Sequence, residues 1–396
     1  MKHLAILGST GSIGQSTLRI VEQYPERFRV LSLVAGRNLD AIFAQCQRWH
    51  PRLVSVASAA DASTLQTRLR AAGLNKIEVL HGAEGTVRAA TMSGVDFVVS
   101  AIVGVAGLEA THAAVCAGTP VGLANKECMV AAGEILTRAA REHNVPLLPI
   151  DSEHNAIHQC MRGGAKQEIQ QIWLTASGGP FRSLPLDQFE SITVAQALKH
   201  PTWVMGQRIT IDSATMLNKG LEIIEACRLF DLPPSAVQVI VHPQSTIHSL
   251  VEYVDGSILA QLSVTDMRLP ILYALTYPER VGSDLKFDMR TLARLDFEPP
   301  DFARFPCLRL AYEAAEIGGE HCIALNAADE IAVEAFLAGN ISFPAIARTI
   351  EAVLEQTPRQ HPGTIAEVLQ ADARARATAR ALVRSGETSA AVARRR

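Results

Sequence analysis

The sequence predicts an α/β protein of three parts: an N-terminal parallel-sheet domain, an α+β domain and a small C-terminal α-helical domain. Three observations carry this reading. Apolar runs without polar alternation recur through the first 150 residues, separated by helix-like stretches, as in a parallel sheet covered on both faces. After Ile150 the pattern changes to strands and a hairpin. The last third of the chain is helical in pattern throughout, and 396 residues exceed one comfortable hydrophobic core.

The expected strands of the first domain (1–150) lie at 4–7, 30–35, 53–57, 77–80, 97–101, 121–124 and 147–150. Segments such as "NLDAIFAQCQRWH" and "DASTLQTRLRAAG" supply the helices between them. In the second domain (151–277), "EIQQIWLTAS", "VQVIVHP" and "HSLVEYVDGSILAQLSV" read as strands. Asp255-Gly256 marks a hairpin turn between two alternating arms. The Pro- and charge-rich stretch 278–305 reads as a linker, residues 306–385 as the helical domain and 386–396 as a frayed Ala/Arg tail.

Composition narrows the class. Hydrophobic residues make up 48% and charged residues 19%, which fits a packed globular enzyme and not a disordered chain. A net charge of −3 gives no reason to expect nucleic acid as a partner. The seven cysteines are scattered without a Cys-x-x-Cys pair and read as reduced thiols. No apolar run approaches a membrane span, and no charged-then-apolar leader precedes the first strand, so the expected location is the cytoplasm.

The first strand runs into "GSTGSIG" and then into a helical pattern. Gly8, Gly11 and Gly14 form G-x-x-G-x-x-G, a variant of the dinucleotide turn, which makes the first domain Rossmann-like. Ser12 and Ile13 fall where free helix N–H groups meet a pyrophosphate. The second strand ends in Gly36, Arg37 and Asn38 where an NAD site places an acid; a guanidinium there suits a 2′-phosphate and favours NADPH. An ordinary surface arginine in a βα loop is the competing account. Asp40 lies past the strand end and reads as part of the next helix.

Asp151 and Glu153 stand where the seventh strand ends, spaced so that both side chains share a side in extended backbone. Two carboxylates held together call for a cation, and oxygen donors without cysteine suit Mg²⁺ or Mn²⁺. "NKGLEIIEA" offers Glu222 or Glu225 as a third ligand, while helix capping is the alternative role for the Asp/Glu pair. His154 and His158 have i, i+4 zinc spacing, but the Glu of the zincin motif is missing. Further on, Ser177, His200, Trp203, Met205, Ser213, Asn218, Lys219 and Glu222 gather hydrogen-bond donors around a Pro- and Gly-flanked stretch. That set suits a phosphate pocket under a closing lid at about 197–207; core packing would equally explain Trp203 and Met205.

Seven segments, "GSTGSIGQSTL", "ANKE", "PIDSEHNAI", "SGGPF", "KHPTWVMGQRITIDSATMLNKGLEIIEA", "HPQSTIHSLVEY" and "LNAADEIAVEAFL", resemble the 1-deoxy-D-xylulose 5-phosphate reductoisomerase family, in order along nearly the whole chain. The resemblance implies an NADPH- and divalent-metal-dependent enzyme of the non-mevalonate isoprenoid pathway, usually a homodimer. Its metal ligands would be Asp151, Glu153 and Glu222. Thr10, Gly11, Ser12, Ile13, Gly36, Arg37, Asn38, Asn125, Glu127 and Gly206 would contact NADPH. Lys126, Ser152, Glu153, Ser177, His200, Trp203, Ser213, Asn218, Lys219 and Glu222 would contact the sugar phosphate. Lys126, Asp151, Glu153, His200 and Glu222 would be the catalytic set.

Arg37 stands where the family more often has Lys, and Asp329 where many relatives carry Asn. The family's reaction is thought to be a retro-aldol/aldol rearrangement to 2-C-methylerythrose 4-phosphate, then hydride reduction to 2-C-methyl-D-erythritol 4-phosphate. Two rival classes are a simple NADP-dependent dehydrogenase without the isomerase step and a nucleotide-binding regulatory module. A metal requirement separates the first, and the carboxylate pair argues against the second.

Overall fold

The computed structural model describes residues 1–203 and 205–386. Val204, inside the expected lid, and 387–396 of the expected tail lie outside the described residues. The chain forms two compact units, Met1–Cys128 with Glu134–Asn155 and Asp266–Leu285, and Met129–Gly133 with Ala156–Thr265 and Lys286–Arg396.

The first unit is built on seven strands: β1 (Lys2–Leu7), β2 (Phe28–Val34), β3 (Leu53–Val56), β4 (Glu78–His81), β5 (Phe97–Ser100), β6 (Val121–Leu123) and β7 (Leu147–Pro149). All pair in parallel, in the order β4-β3-β2-β1-β5-β6-β7. The seven apolar runs are therefore the seven strands, within a residue or two at each end. Leu4, Ala5, Ile6 and Leu7 are wholly buried, which is why β1 shows no polar alternation.

Helices numbered in chain order connect them: α1 (Ser12–Gln23), α2 (Leu39–Trp49), α3 (Ala59–Ala71), α4 (Gly82–Ala90), α5 (Leu108–Cys116) and α6 (Lys126–Glu142), the last kinked at Ala132. The strand order reverses between β2-β1 and β1-β5, so the turn after β1 sits at the topological switch point, where doubly wound sheets bind ligands.

One helix of this unit arrives from far along the chain. α11 (Arg268–Thr276) lays Ile271, Leu272, Ala274 and Leu275 into the same core as Leu4, Ile6 and Phe97. Lys2 Nζ donates to the carbonyl of Leu275 at 2.6 Å. Residues 266–277, which the sequence groups with the α+β domain, thus sit in the compact unit of the parallel sheet. "RLPILYALT" is apolar on every side, and such a helix is buried wherever a core accepts it. Each large side chain buried there contributes about 1.5–3 kcal/mol.

The second unit holds a mixed sheet in the order β11-β10-β8-β9, formed by β8 (Ile169–Ala176), β9 (Val237–Val241), β10 (Ile247–Tyr253) and β11 (Ile258–Leu262). Asp255-Gly256 makes the β10–β11 turn, with Gly256 at φ +85 and the Asp255 carboxylate accepting from Ser257 N at 2.9 Å. Its helices are most of α7 (Ser152–Cys160), then α8 (Val194–Ala197), α9 (Gln207–Ala214), α10 (Leu217–Phe230), α12 (Pro306–Ile317), α13 (Glu320–Leu337), α14 (Phe343–Glu355) and α15 (Ile365–Ser385).

Ile172 and Leu174 of β8 pack with Ile223, Phe230 and Leu308 from α10 and α12. α13 runs through the centre of the helical cluster and is buried on all sides, Asn326 and Asp329 included. The stretch read as a linker is mostly irregular, but it is tied down. Val241 and Glu298 exchange backbone hydrogen bonds at 2.8 and 2.9 Å, and His242 stacks on Phe297.

Candidate active site

In the first unit the site begins with two turns that touch. Gly8 leaves β1 at φ +87, and a Cβ there would lie 2.4 Å from the carbonyl oxygen of Ala101 at the end of β5. Gly14, inside α1, is equally constrained: its Cβ would stand 2.4 Å from Gly8 O and 2.5 Å from Ser9 Cα. Only glycine lets the turn fold flat against both the helix and the neighbouring loop. α1 then starts at Ser12 with Gly11 at its N-cap and no side-chain cap. Its first N–H groups have no intrahelical partner and can meet an anion. Thr10 and Ile13 are half-buried beside this end, and Gly11 and Ser12 are exposed.

Arg37 is exposed just past β2, beside an equally exposed Gly36. Asn38 accepts from Ala41 N at 3.1 Å and caps α2, whose first turn contains Asp40, as its position past the strand foretold. Asn125 is buried with its side chain fully engaged. Nδ2 donates to the carbonyls of Ile102 and of Gly104, the latter at 2.8 Å, and Oδ1 accepts from Cys128 N at 3.1 Å. It thus braces the loop after β5 and caps α6, in whose first turn Lys126 and the half-buried Glu127 follow.

Lys126, itself buried, places Nζ 2.5 Å from Asp151 Oδ2. Asp151 ends the run from β7, and α7 begins at Ser152, whose Oγ donates to Glu153 Oε2 at 2.5 Å. Buried Asn155, absent from the expected site residues, holds this corner: its Nδ2 donates to Pro149 O at 2.8 Å and Pro270 O at 3.2 Å. Its only sequence signal is its place in "PIDSEHNAI". His154 is wholly buried, with Nδ1 3.9 Å from Asp151 Oδ2. Burial, reinforced by Arg162, pushes the His158 pKa down to about 4, so that ring is neutral at physiological pH.

In the second unit, His200 lies between two serines. Its Nε2 is 3.1 Å from Ser177 Oγ and 3.0 Å from Ser213 Oγ. Nδ1 accepts from the backbone N–H of Trp203 at 2.9 Å and of Thr202 at 3.2 Å, which fixes the tautomer with the proton on Nε2. Burial lowers the His200 pKa and favours this neutral donor. Ser177 Oγ accepts from Gly179 N at 3.2 Å in the Gly-Gly turn after β8. Trp203 faces His248, ring centroids 6.3 Å apart, and Gly206 forms the N-cap of α9.

On α10, Asn218 Nδ2 donates to Glu222 Oε1 at 2.5 Å and Lys219 Nζ pairs with Glu222 Oε2. Lys219 and Glu222 are 4% and 1% exposed, so this is a buried charge pair and not a solvated helix lysine. The structure therefore groups Lys126, Asp151, Ser152 and Glu153 in the first unit. In the second it groups Ser177, His200 and Ser213, and separately Asn218, Lys219 and Glu222.

A glycine-turned helix N-terminus at a switch point, an exposed cation after β2 and buried carboxylate–lysine pairs define a dinucleotide-dependent enzyme of the doubly wound α/β class. Sequence models of the 1-deoxy-D-xylulose 5-phosphate reductoisomerase family match at residues 4–133 and, for its C-terminal domains, at 147–230 and 262–378. Proteins of that name from Solibacter usitatus and Nitrosomonas europaea are 50% and 52% identical, each over 96% of this chain and over 97% and 93% of their own length. The chain belongs to the 1-deoxy-D-xylulose 5-phosphate reductoisomerase family.

Solved structures agree with that assignment. A DOX-P reductoisomerase in complex with NADPH, fosmidomycin and magnesium superposes with a TM-score of 0.93 at 44% identity, covering 97% of this chain and 98% of that one. The Zymomonas mobilis enzyme in complex with NADPH gives 0.90 at 43%, covering 96% and 98%.

Proposed function

We propose that this chain converts 1-deoxy-D-xylulose 5-phosphate to 2-C-methyl-D-erythritol 4-phosphate, using NADPH and a divalent metal, for isoprenoid precursor synthesis. Its membership of the family over nearly its full length carries the reading. The N-terminus of α1, with Thr10, Gly11, Ser12 and Ile13, would take the pyrophosphate. Gly36, Arg37 and Asn38 would take the 2′-phosphate, and Asn125, Glu127 and Gly206 would also contact NADPH. NADPH supplies the hydride.

The proposed metal ligands are Asp151, Glu153 and Glu222. The donor set fits a hard ion: all three are carboxylates, and two of them already hold an ammonium group, Lys126 on Asp151 and Lys219 on Glu222. Mg²⁺ or Mn²⁺ held by these carboxylates would supply Lewis-acid chemistry to the substrate. Ser177, His200 and Ser213 would grip the phosphate, the histidine donating from Nε2. Asn218 and Lys219 would add donors, Lys126, Ser152 and Glu153 would hold the sugar end, and Trp203 would cover it. Residues 197–207 would act as the lid, and 306–385 as the helical domain. A firm hold on the phosphate keeps a fragmented intermediate from escaping.

A homodimer is the proposed assembly. β11 is an edge strand with exposed Ile258 and Leu259 beside Val254, an apolar edge that a second copy would cover. The location proposed is the cytoplasm. No disulfide joins any of the seven cysteines, and among the described residues no helix is long and apolar enough to cross a membrane.

The deciding assay follows reduced-nicotinamide absorbance with deoxyxylulose 5-phosphate, with and without chelator. Oxidation that needs both the sugar phosphate and a divalent ion is the expected result. Turnover indifferent to chelation would favour a simple dehydrogenase, and no turnover would refute the assignment. Light scattering at twice the chain mass would support the dimer, and a monomer would refute it.

A further inference from the structure

Two helices of the second unit meet across a set of buried charges for which the proposed reaction has no use. α9 carries Ser213, one of the two serines on His200. Five residues earlier on the same helix, Arg208 reaches across to α13. Its Nη2 donates to Asn326 Oδ1 at 3.0 Å and lies 3.4 Å from Asp329 Oδ2. Its Nη1 is 3.1 Å from Glu330 Oε1, and its Nε is 3.6 Å from Asp212 Oδ2 on its own helix. From α15, Arg376 takes the other oxygen of Glu330 at 2.9 Å and Asp372 at 2.6 Å. The side chains of Asp212 and Asp329 are 5% and 0% exposed.

α9 spans eight residues with no side-chain cap and no acidic residue in its first turn. A helix that short does not hold itself in water, so tertiary contacts must set its seat. Arg208 ties it to α13 through Asn326, Asp329 and Glu330. Asp212 is the immediate neighbour of Ser213. The Ser213–His200 hydrogen bond, at 3.0 Å, does not survive a displacement of about 1 Å.

We propose that Arg208 and Asp329 are positioning residues: their clamp seats α9 on α13 and so places Ser213, and through it His200, for the phosphate of the substrate. This rests on the reading of Ser213 and His200 as phosphate groups. The clamp also holds a proton. Two arginines face the carboxylates of Asp212, Asp329, Glu330 and Asp372, an excess of negative charge that a buried site relieves by protonating one member. Burial first, and then Asp212, raise the Asp329 pKa well above the carboxylate range, with Arg208 opposing. Cys307 of α12 faces the same pair, and its thiol is pushed up by burial and then by Asp329 and Asp212, so it adds no charge.

With a folded pKa above the unfolded one, the stability that this proton confers is full below the ordinary carboxyl value. It is lost as pH rises through the folded pKa. Above that pKa the two aspartates repel, α9 shifts, and the phosphate grip loosens. An asparagine at 329 keeps an acceptor for Arg208 and has no proton to lose.

The test uses the full chain and measures kcat, the KM for deoxyxylulose 5-phosphate and the KM for NADPH from acid to alkaline pH. Hydrogen exchange of residues 207–214 is read in parallel. Arg208→Met should raise the sugar-phosphate KM about 10-fold or more, the equivalent of one charge-assisted hydrogen bond, with the NADPH KM unchanged and faster exchange in α9. Arg208→Lys should recover part of the loss. Asp329→Asn should match the wild-type KM where the carboxyl keeps its proton, hold that KM as pH rises further, and raise Tm there by about 2–4 °C.

An unchanged sugar-phosphate KM and unchanged α9 exchange in Arg208→Met would overturn the clamp. A wild-type pH profile in Asp329→Asn would overturn the proton. Should Arg208→Met not fold, Arg208→Lys and Asp329→Asn decide by the same readouts. If the wild type does not turn over the sugar phosphate, the functional reading falls, and the exchange and Tm comparisons still decide the clamp.

Discussion

Replacing Gly14 by alanine tests whether the first turn is built for a phosphate and for close packing at once. The added Cβ would meet Gly8 O at 2.4 Å, Ser9 Cα at 2.5 Å and Ser9 O at 2.5 Å, all backbone atoms with no side-chain end to swing aside. Gly14 lies in α1, where alanine gains about 1 kcal/mol in helix propensity. Against that stands overpacking of about 1–3 kcal/mol, because three backbone contacts must each open by over half an ångström. Sterics should win, lowering Tm by a few degrees.

The larger effect falls on NADPH. Moving the 8–11 turn off the end of α1 misaligns one or more N–H donors, each worth about 1.5–3 kcal/mol to a charged oxygen, so Kd should rise by about 10- to 150-fold. Calorimetric titration with NADPH and a thermal melt measure both quantities. Gly36→Ala is the steric control, since nothing lies within 4 Å of its Cβ position; its Tm should not move. A Gly14→Ala protein with unchanged Kd and Tm would refute the reasoning.

Other outcomes follow from the same geometry. Glu222→Gln and Asp151→Asn should each cut turnover by at least about 10²-fold at saturating Mg²⁺ or Mn²⁺, while NADPH titrates as in the wild type. Full activity in either would remove that residue from the metal. Arg37→Ala should raise the KM for NADPH by about 10-fold or more and leave that for NADH nearly unchanged, and equal effects would exclude a role at the 2′-phosphate. His158, depressed to about 4, binds its proton less readily folded than unfolded. Its contribution to stability is therefore full above the ordinary histidine value and is lost as pH falls through the window down to about 4. Urea midpoints should drop across that window, and His158→Gln should flatten the drop.

The parallel sheet was legible because its strands are buried on both faces, and burial writes itself into sequence as uninterrupted apolar runs. The Asp255-Gly256 hairpin was legible for a similar reason, since a tight turn with positive φ restricts residue choice locally. The candidate site was legible as motifs: the glycine turn, "ANKE", "PIDSEH" and the 199–226 block each keep their chemistry within a few residues. The braces that hold those motifs were not. The bracing roles of Asn125 and Asn155 show only when their amides are seen on carbonyls 6 to 115 residues away.

Local constraint and long-range constraint divide this protein cleanly. By itself the sequence determined which segments of the parallel sheet are strands, and which family the chain resembles. These depend on backbone sterics and burial periodicity that act over a few residues. Only the tertiary structure decided that α11 returns to the core of the parallel sheet, that Lys126 and Lys219 are buried against carboxylates, and that Arg208 spends its guanidinium on α13. Those depend on which distant surface is free to exclude water, and an apolar helix or a lone arginine carries no record of that surface in its own neighbourhood.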